Sequence, residues 1–315
     1  MSRAITVRTL SVASTLLVSS FIIFAAMHYS PGSSLAFILG GGENTATPEQ
    51  VALVEAQYGL KDPLFLRYWH WISGVFTGDW GRSYAMKEDV WRLLGARLPT
   101  TLGLIALACT MSIFFGVAVG ALASIAGRTA GIAITAVTTV GFATPGFVAA
   151  IILVSIFAVK LGWFPALGSG EGFIDGLWHL ILPSVALGLT TSCVIARITR
   201  VAMTAELGRE HVQTAIIRGV PKHLILWRHV LRNALIPIVT VSRIAAATMV
   251  AGTVVIEFAF GLHGLGTLLI QAVQQKDVPV VQAISVVLVG AYVLVNFVVD
   301  LLYLLIDPRV RLANR

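Results

Sequence analysis

The sequence predicts an all-α membrane protein with six transmembrane helices and both termini in the cytoplasm. Three observations lead there. Only 12% of the 315 residues are charged and 57% are hydrophobic, whereas a soluble domain carries about 25% charged residues. Such a chain cannot cover a water-facing surface, which argues against disorder, a secreted disulfide scaffold and a soluble enzyme. Six apolar runs approach or exceed the roughly 20 residues that cross a bilayer core about 30 Å thick. Lys and Arg gather in particular connections between those runs, as bilayer orientation requires.

The runs cover residues 10–28, 102–125, 129–159, 180–196, 234–256 and 280–306. The first follows Arg3 and Arg8 and is longer than the apolar region of about 7 to 15 residues of a cleaved signal peptide, so a retained helix is expected. The second is uncharged. The third is uncharged too but is interrupted by Pro145, in Phe142-Ala143-Thr144-Pro145-Gly146-Phe147. A hairpin there would make seven crossings and separate the termini, and both termini are basic, which favours one kinked span. The fifth run carries Arg243 and the sixth Asp300.

Positive-inside counting puts Arg3, Arg8, Arg128, the seven basic residues of 197–232 and the tail residues Arg309, Arg311 and Arg315 in the cytoplasm. Four regions follow: 1–30, the N-terminal segment and first helix; 31–99, an extracytoplasmic loop; 100–306, a five-helix core with the cytoplasmic loop 197–233; and 307–315, a cytoplasmic tail. Within the long loop, residues 46–58 read as a short helix with Thr47 as N-cap before Pro48. Trp69, Trp71, Trp80 and Trp91 suit the outer headgroup belt.

Chemistry-bearing constellations are sparse. Cys109 and Cys193 lie in apolar runs and imply neither a disulfide framework nor a metal site. The seven histidines are scattered without metal spacing. No Gly-x4-Gly-Lys-Ser/Thr phosphate-binding loop is present. The formal charge of +7 serves orientation, and no nucleic-acid partner is expected.

Residues 197–233 are the most informative stretch, with seven basic and two acidic residues, too polar to cross. Val212, Ala215 and Ile216 form one short apolar stripe, and Leu224, Trp227 and Leu231 a second. Gly219 permits the left-handed residue that ends a helix, and Pro221 cannot continue that helix but can open the next. A rigid helix-turn-helix elbow is expected. From periodicity alone it either rests on anionic lipid or docks a cytoplasmic partner; a DNA-reading role is disfavoured because a span flanks each side.

The segment from Leu207 to Gly219, with Gln213-Thr214-Ala215 and Gly219 standing for the Glu-Ala-Ala-x3-Gly core, resembles the loop of binding-protein-dependent ABC-transporter permeases. The broader family has Leu-Pro after that glycine; here Leu231 is followed by Arg232, as in the dipeptide/oligopeptide branch. The likeness runs through Pro31-Gly32, Tyr58-Gly59-Leu60, Gly78-Asp79-Trp80-Gly81, Arg97-Leu98-Pro99-Thr100-Thr101, Leu182-Pro183, Gly264-Leu265-Gly266 and Asp307-Pro308-Arg309.

What the resemblance implies is a type I ABC importer permease in a bacterial inner membrane. Its partners would be a second similar permease, two ATPase subunits holding ATP and Mg, an extracytoplasmic substrate-binding protein and a peptide substrate. Relatives in the family also resemble permeases for nickel, glutathione or other small solutes. Arg209, Glu210, His211, Gln213, Thr214, Ala215, Arg218, Gly219, Pro221 and Lys222 would form the loop that couples to the ATPase. The chain itself would hold no cofactor and no catalytic site. An ion-coupled secondary transporter is the rival of another class, disfavoured by the lack of inverted repeats; an intramembrane enzyme lacks paired catalytic groups.

Five intramembrane positions are candidates for the pathway or its gates: Pro145, Arg243, Glu257, Asn296 and Asp300. Arg243 and Asp300 sit at depths that differ by about 4 to 5 Å at 1.5 Å per residue. Arg243 either pairs with Asp300 or meets a substrate carboxylate, since an arginine at mid-membrane costs about 2.5 to 3.5 kcal/mol on insertion scales. Glu257 is either a gate or an interface anchor, Pro145 either a packing kink or a hinge, and Asn296 caps or pairs beside Asp300. His263 stands where the family usually has Pro.

Overall fold

The computed structural model describes residues 2–29, 49 and 62–306. In chain order the helices are α1 (Ser2–His28), α2 (Leu64–Thr77), α3 (Val90–Ile125), α4 (Arg128–Ala143), α5 (Gly146–Lys160), α6 (Gly172–Leu207), α7 (Glu210–Ile217), α8 (Lys222–Ala259), α9 (Leu265–Gln274) and α10 (Val278–Ile306). Two compact units emerge among the described residues. One falls within Met1–Thr101 and His263–Ala291, the other within Leu102–Leu262 and Tyr292–Arg315.

Hydropathy located the spans well. Among the described residues α3, α6, α8 and the 278–297 part of α10 are each long and apolar enough to cross a membrane, and they take up the second, fourth, fifth and sixth apolar runs. The first run lies in α1, whose apolar stretch Val12–Met27 is shorter. The helix over 46–58 and the tail 307–315 fall outside the described residues, Glu49 excepted. Helices α3 and α6 start well before their apolar runs, at Val90 and Gly172, and carry Pro99 and Pro183 inside them.

The third run breaks sharply at Pro145, where a kink is expected. Its halves, Thr129–Ala143 and Gly146–Lys160, are bent by 107°. The cause is local. Proline lacks the N–H that would bond back into α4, and its ring drives the preceding residue out of the helical region. Thr144 is accordingly extended at ψ 119°, and Pro145, at ψ 142°, caps α5 instead of continuing α4.

In the first unit α1 and α2 meet through aromatic rings. Phe21 stacks on Phe65 at 5.4 Å, Phe24 meets Tyr68 edge-on, and the Tyr68 hydroxyl bonds Ser20 Oγ at 2.8 Å. Gly78, at φ +90°, ends α2. The early turns of α3 pack Val90 and Leu94 against Leu265, Leu268 and Ala272 of α9 and Val280 and Ile284 of α10. A carboxylate fastens the chain between α2 and α3 to the α9–α10 turn. Asp277, 1% exposed, accepts hydrogen bonds from the Ser83 hydroxyl and from the backbone N–H groups of Tyr84 at 3.1 Å and Ala85 at 3.2 Å. Ser83 Oγ in turn accepts from the Met86 N–H at 2.9 Å. Of the expected belt tryptophans, Trp69 and Trp91 are exposed, while Trp71 and Trp80 are half-buried.

In the second unit α6 packs against α4, α5 and α8. Its approach to α3 depends on small residues, the packing device of helices in lipid. A methyl on Gly116 would lie 2.8 Å from Ile195 Cβ, and one on Gly120 would collide with the Ala196 carbonyl oxygen. The Ser112 hydroxyl donates to the Gly188 carbonyl at 3.0 Å, so a buried polar group on α3 is satisfied by α6. Leu104, Leu180, Leu182, Met249, Ile256 and Phe260 fill one end of this core; Ile195, Met203, Val212, Ile225, Val230 and Ile238 fill another.

Candidate functional site

The elbow expected between spans four and five is present as α6–α7–α8. After Leu207 the chain turns through Gly208, and Arg209 adopts an extended conformation (φ −77°, ψ 147°) that opens α7. The Arg209 carbonyl accepts from the Val212 and Gln213 N–H groups at 3.0 and 3.1 Å, while Gln213 Nε2 donates back to the Leu207 carbonyl at 3.0 Å. Gly219 ends α7 at φ +73°. Its N–H bonds the Ile216 carbonyl at 3.0 Å and the Val220 N–H bonds the Ala215 carbonyl at 3.1 Å. That double closure is the Schellman arrangement, which requires the left-handed residue that glycine supplies at least cost. Pro221, at φ −56° and ψ 138°, caps α8 from just outside it.

Packing decides which side of the elbow faces away. Val212 and Ala215 are buried against Met203, Ile225, Val230, Ala234 and Ile238. The expected stripes hold only in part. Ile216 is half exposed, and Leu224 and Trp227 face outward while Ile225 and Val230 face inward. The reason is that Ile225–Leu231 is π-helical. A π-turn bonds i to i+5, so residues five apart share a face and the 3.6-residue stripe slips. The outer surface therefore carries Ile217, 85% exposed, and Trp227, 72% exposed. Arg209, Glu210, His211, Gln213, Thr214, Arg218 and Lys222 are exposed beside them.

A residue outside the expected set binds the elbow together. Glu206, 8% exposed, lies in the last turn of α6. Its carboxylate pairs with Arg209 Nε at 3.0 Å, lies 3.9 Å from His211 Nε2 and accepts from Asn233 Nδ2 at 3.4 Å. One acid thus links α6, α7 and α8. Its only signal in the sequence is that it is one of two acidic residues in a basic stretch.

The intramembrane candidates are not gathered into one cluster. Pro145 stands exposed at the break between α4 and α5, and Arg243 is exposed on α8. The side chain of Asp300 lies outside the described residues, so the Arg243–Asp300 pair does too. Asn296 donates its Nδ2 to the Tyr292 carbonyl at 2.9 Å, one turn back on its own helix. Glu257 is fully buried near the end of α8, and its carbonyl accepts from the Leu262 N–H at 2.9 Å across the turn. His263 is exposed. Among the described residues no cluster of His, Cys, Asp or Glu has metal-binding geometry.

Comparison with known proteins covers nearly the whole chain. The family model described as binding-protein-dependent transport system inner membrane component matches residues 112–312, and the N-terminal model of the same membrane component matches residues 1–105. A probable peptide ABC transporter permease protein, y4tP, of Sinorhizobium fredii (strain NBRC 101917 / NGR234) is 36% identical over 310 residues, 96% of this chain and 97% of the relative. The glutathione transport system permease protein GsiC is 33% identical in Escherichia coli (strain K12) and 34% identical in Salmonella choleraesuis (strain SC-B67), again over 96% of this chain and 97% of each relative. Among solved structures, an inward-facing conformation of the MetNI methionine ABC transporter aligns with a TM-score of 0.58 at 19% identity, covering 69% of this chain and 97% of that one. That likeness speaks for the fold, which is the type I importer permease fold. The chain therefore belongs to the binding-protein-dependent transport system inner membrane components, the membrane-embedded permease subunits of ABC transporters.

Proposed function

We propose that this chain is one permease subunit of an ATP-driven importer of dipeptides or oligopeptides. It works with a second, similar permease, two ATPase subunits that carry ATP and Mg, and an extracytoplasmic binding protein that delivers the peptide. The observation that carries the reading is likeness to a probable peptide permease at 36% identity over 96% of this chain. Both termini then lie in the cytoplasm and residues 31–99 face outward.

In this reading the elbow docks on an ATPase subunit. Arg209, Glu210, His211, Gln213, Thr214, Arg218 and Lys222 supply polar contacts around Ile217, while Ala215, Gly219 and Pro221 give the elbow its shape. Rigidity is what the task demands, because driving a two-state carrier from 1:99 to 99:1 takes about 5.5 kcal/mol of differential binding, and a floppy loop would absorb the motion that carries it. Pro145, Arg243, Glu257, Asn296 and Asp300 line or gate the pathway between the two permeases, with Arg243 either paired to Asp300 or meeting a peptide carboxylate. Glutathione is a second reading, favoured by the 33–34% identity to the GsiC permeases.

The test is uptake by the assembled complex in liposomes, offering labelled dipeptides, longer peptides and glutathione to its binding protein. Uptake of a peptide that requires both internal ATP and the binding protein is expected. Uptake driven by an ion gradient without ATP would contradict the importer reading; ATP-driven uptake of glutathione alone would select the second reading.

A further inference from the structure

A cavity of about 560 Å³ opens among α3, α4 and α6, toward the C-terminal ends of α3 and α6 and the N-terminal end of α4. Arg197, Arg200, Thr135, Thr138 and Thr204 line it, together with an apolar wall that includes Val119 and Ile134. Among the described residues no Asp or Glu lines it. From this we infer that the cavity binds the phosphate headgroup of an anionic phospholipid, with an acyl chain along the apolar wall.

The charges make the case. Arg197 and Arg200 lie three residues apart on α6, on neighbouring positions of one face. Arg197 has no hydrogen bond or ion pair among the described residues, and Arg200 donates only to the neutral Thr135 hydroxyl. The closest acid along α6, Glu206, is already engaged by Arg209, His211 and Asn233. Among the described residues two guanidinium groups therefore share one apolar-walled cavity without a carboxylate, and a cation held against an apolar wall at the membrane's cytoplasmic edge calls for a counter-charge. Guanidinium suits phosphate in particular, because its planar fork makes paired charge-assisted bonds.

The surroundings leave room for that ligand. A methyl on Gly131 would lie 3.3 Å from Arg200 Nη2, so glycine at that position lets the guanidinium rest against α4. The Thr135 hydroxyl donates to the Gly131 carbonyl at 2.7 Å, and Thr138 donates to the Ile134 and Thr135 carbonyls, both at 3.0 Å. Their protons are taken, which leaves the two arginines and Thr204 as donors. Arg197 and Arg200 follow directly on the apolar run 180–196 of α6, at the cytoplasmic edge of that span. That is where headgroups give way to acyl chains, and the apolar wall favours a lipid over a free anion. Basic pockets between helices on the cytoplasmic side are a general form of anionic-lipid site.

The full-length chain, purified in detergent and loaded with equal amounts of phosphatidylglycerol and phosphatidylcholine of the same acyl chains, tests this by native mass spectrometry. Each guanidinium near the anionic group is worth a factor of about five, so a roughly 30-fold preference for phosphatidylglycerol is expected. The double variant Arg197→Gln/Arg200→Gln loses that preference, and Arg197→Lys/Arg200→Lys keeps a clear part of it, which separates lost charge from misfolding. Arg228→Gln, on the exposed side of α8, leaves it unchanged. The inference is overturned if the two lipids are retained equally or if the glutamine variant keeps its preference. Displacement of the lipid by millimolar inorganic phosphate would make this a small-anion site instead. Loss of the lipid from the assembled transporter would make it a contact for a partner subunit.

Discussion

Replacing Gly219 with valine is expected to cut ATP-driven uptake by roughly 5- to 150-fold, the range that corresponds to 1–3 kcal/mol of coupling. Gly219 sits at φ +73° and closes both terminal bonds of α7. A β-branched residue there carries strain of order 1–3 kcal/mol and opens the turn. The buried face of α7, Val212 and Ala215, then loses its register on the cluster formed with Ile225 and Val230. Membrane insertion should survive, because the flanking spans do not depend on this turn. Gly219→Asn is the control, since asparagine visits the left-handed region far more readily. Uptake into liposomes, measured alongside ATP hydrolysis by the same complex, reads the effect: hydrolysis that persists while transport fails locates the fault in coupling.

Removing the Asp277 carboxylate is expected to destabilise the unit that contains α2 and α9. Asp277→Ala leaves the Ser83 hydroxyl and the Tyr84 and Ala85 N–H groups without their acceptor in a site only 1% exposed. Each unsatisfied buried donor costs about 1 to 3 kcal/mol, so a total of about 3 to 5 kcal/mol is expected if the loop partly relaxes to water. Asp277→Asn keeps the size and one acceptor oxygen and should lose less. The midpoint of thermal unfolding of the purified chain, followed by tryptophan fluorescence, checks the order of wild type, Asn and Ala. An Ala variant as stable as wild type would show that this latch contributes nothing.

Much of the fold was legible because lipid imposes a simple rule: long apolar runs must be helices. The elbow was legible for a different reason. Gly219 and Pro221 act through their own backbone chemistry, so their effect does not depend on distant contacts. What failed was whatever depends on a register set elsewhere. The Leu224–Trp227–Leu231 stripe assumed an α-helical period, and a π-helical stretch at Ile225–Leu231 moved the buried face to Ile225 and Val230. Pro145 announced a kink, but a proline residue in a sequence does not specify an angle, and the 107° between α4 and α5 is seen only in the structure. Nothing in the sequence around Asp277 announces its role, because its partners lie some 190 residues earlier in the chain. Glu206 was passed over because three elements converge on it and none of them points to it in sequence.

The central claim is that force from ATPase subunits enters this chain through the elbow. It is tested most directly by placing a cysteine at Ile217, the most exposed apolar residue of α7 at 85%, and asking which subunit it reaches in the assembled transporter. A short bifunctional crosslinker should join it to an ATPase subunit bearing a cysteine in its membrane-facing groove, with a yield that changes between ATP-bound and nucleotide-free complexes. If that cysteine instead reacts only with lipid-soluble or aqueous probes, and never with an ATPase in either state, the elbow is a membrane-surface element and the coupling account is wrong.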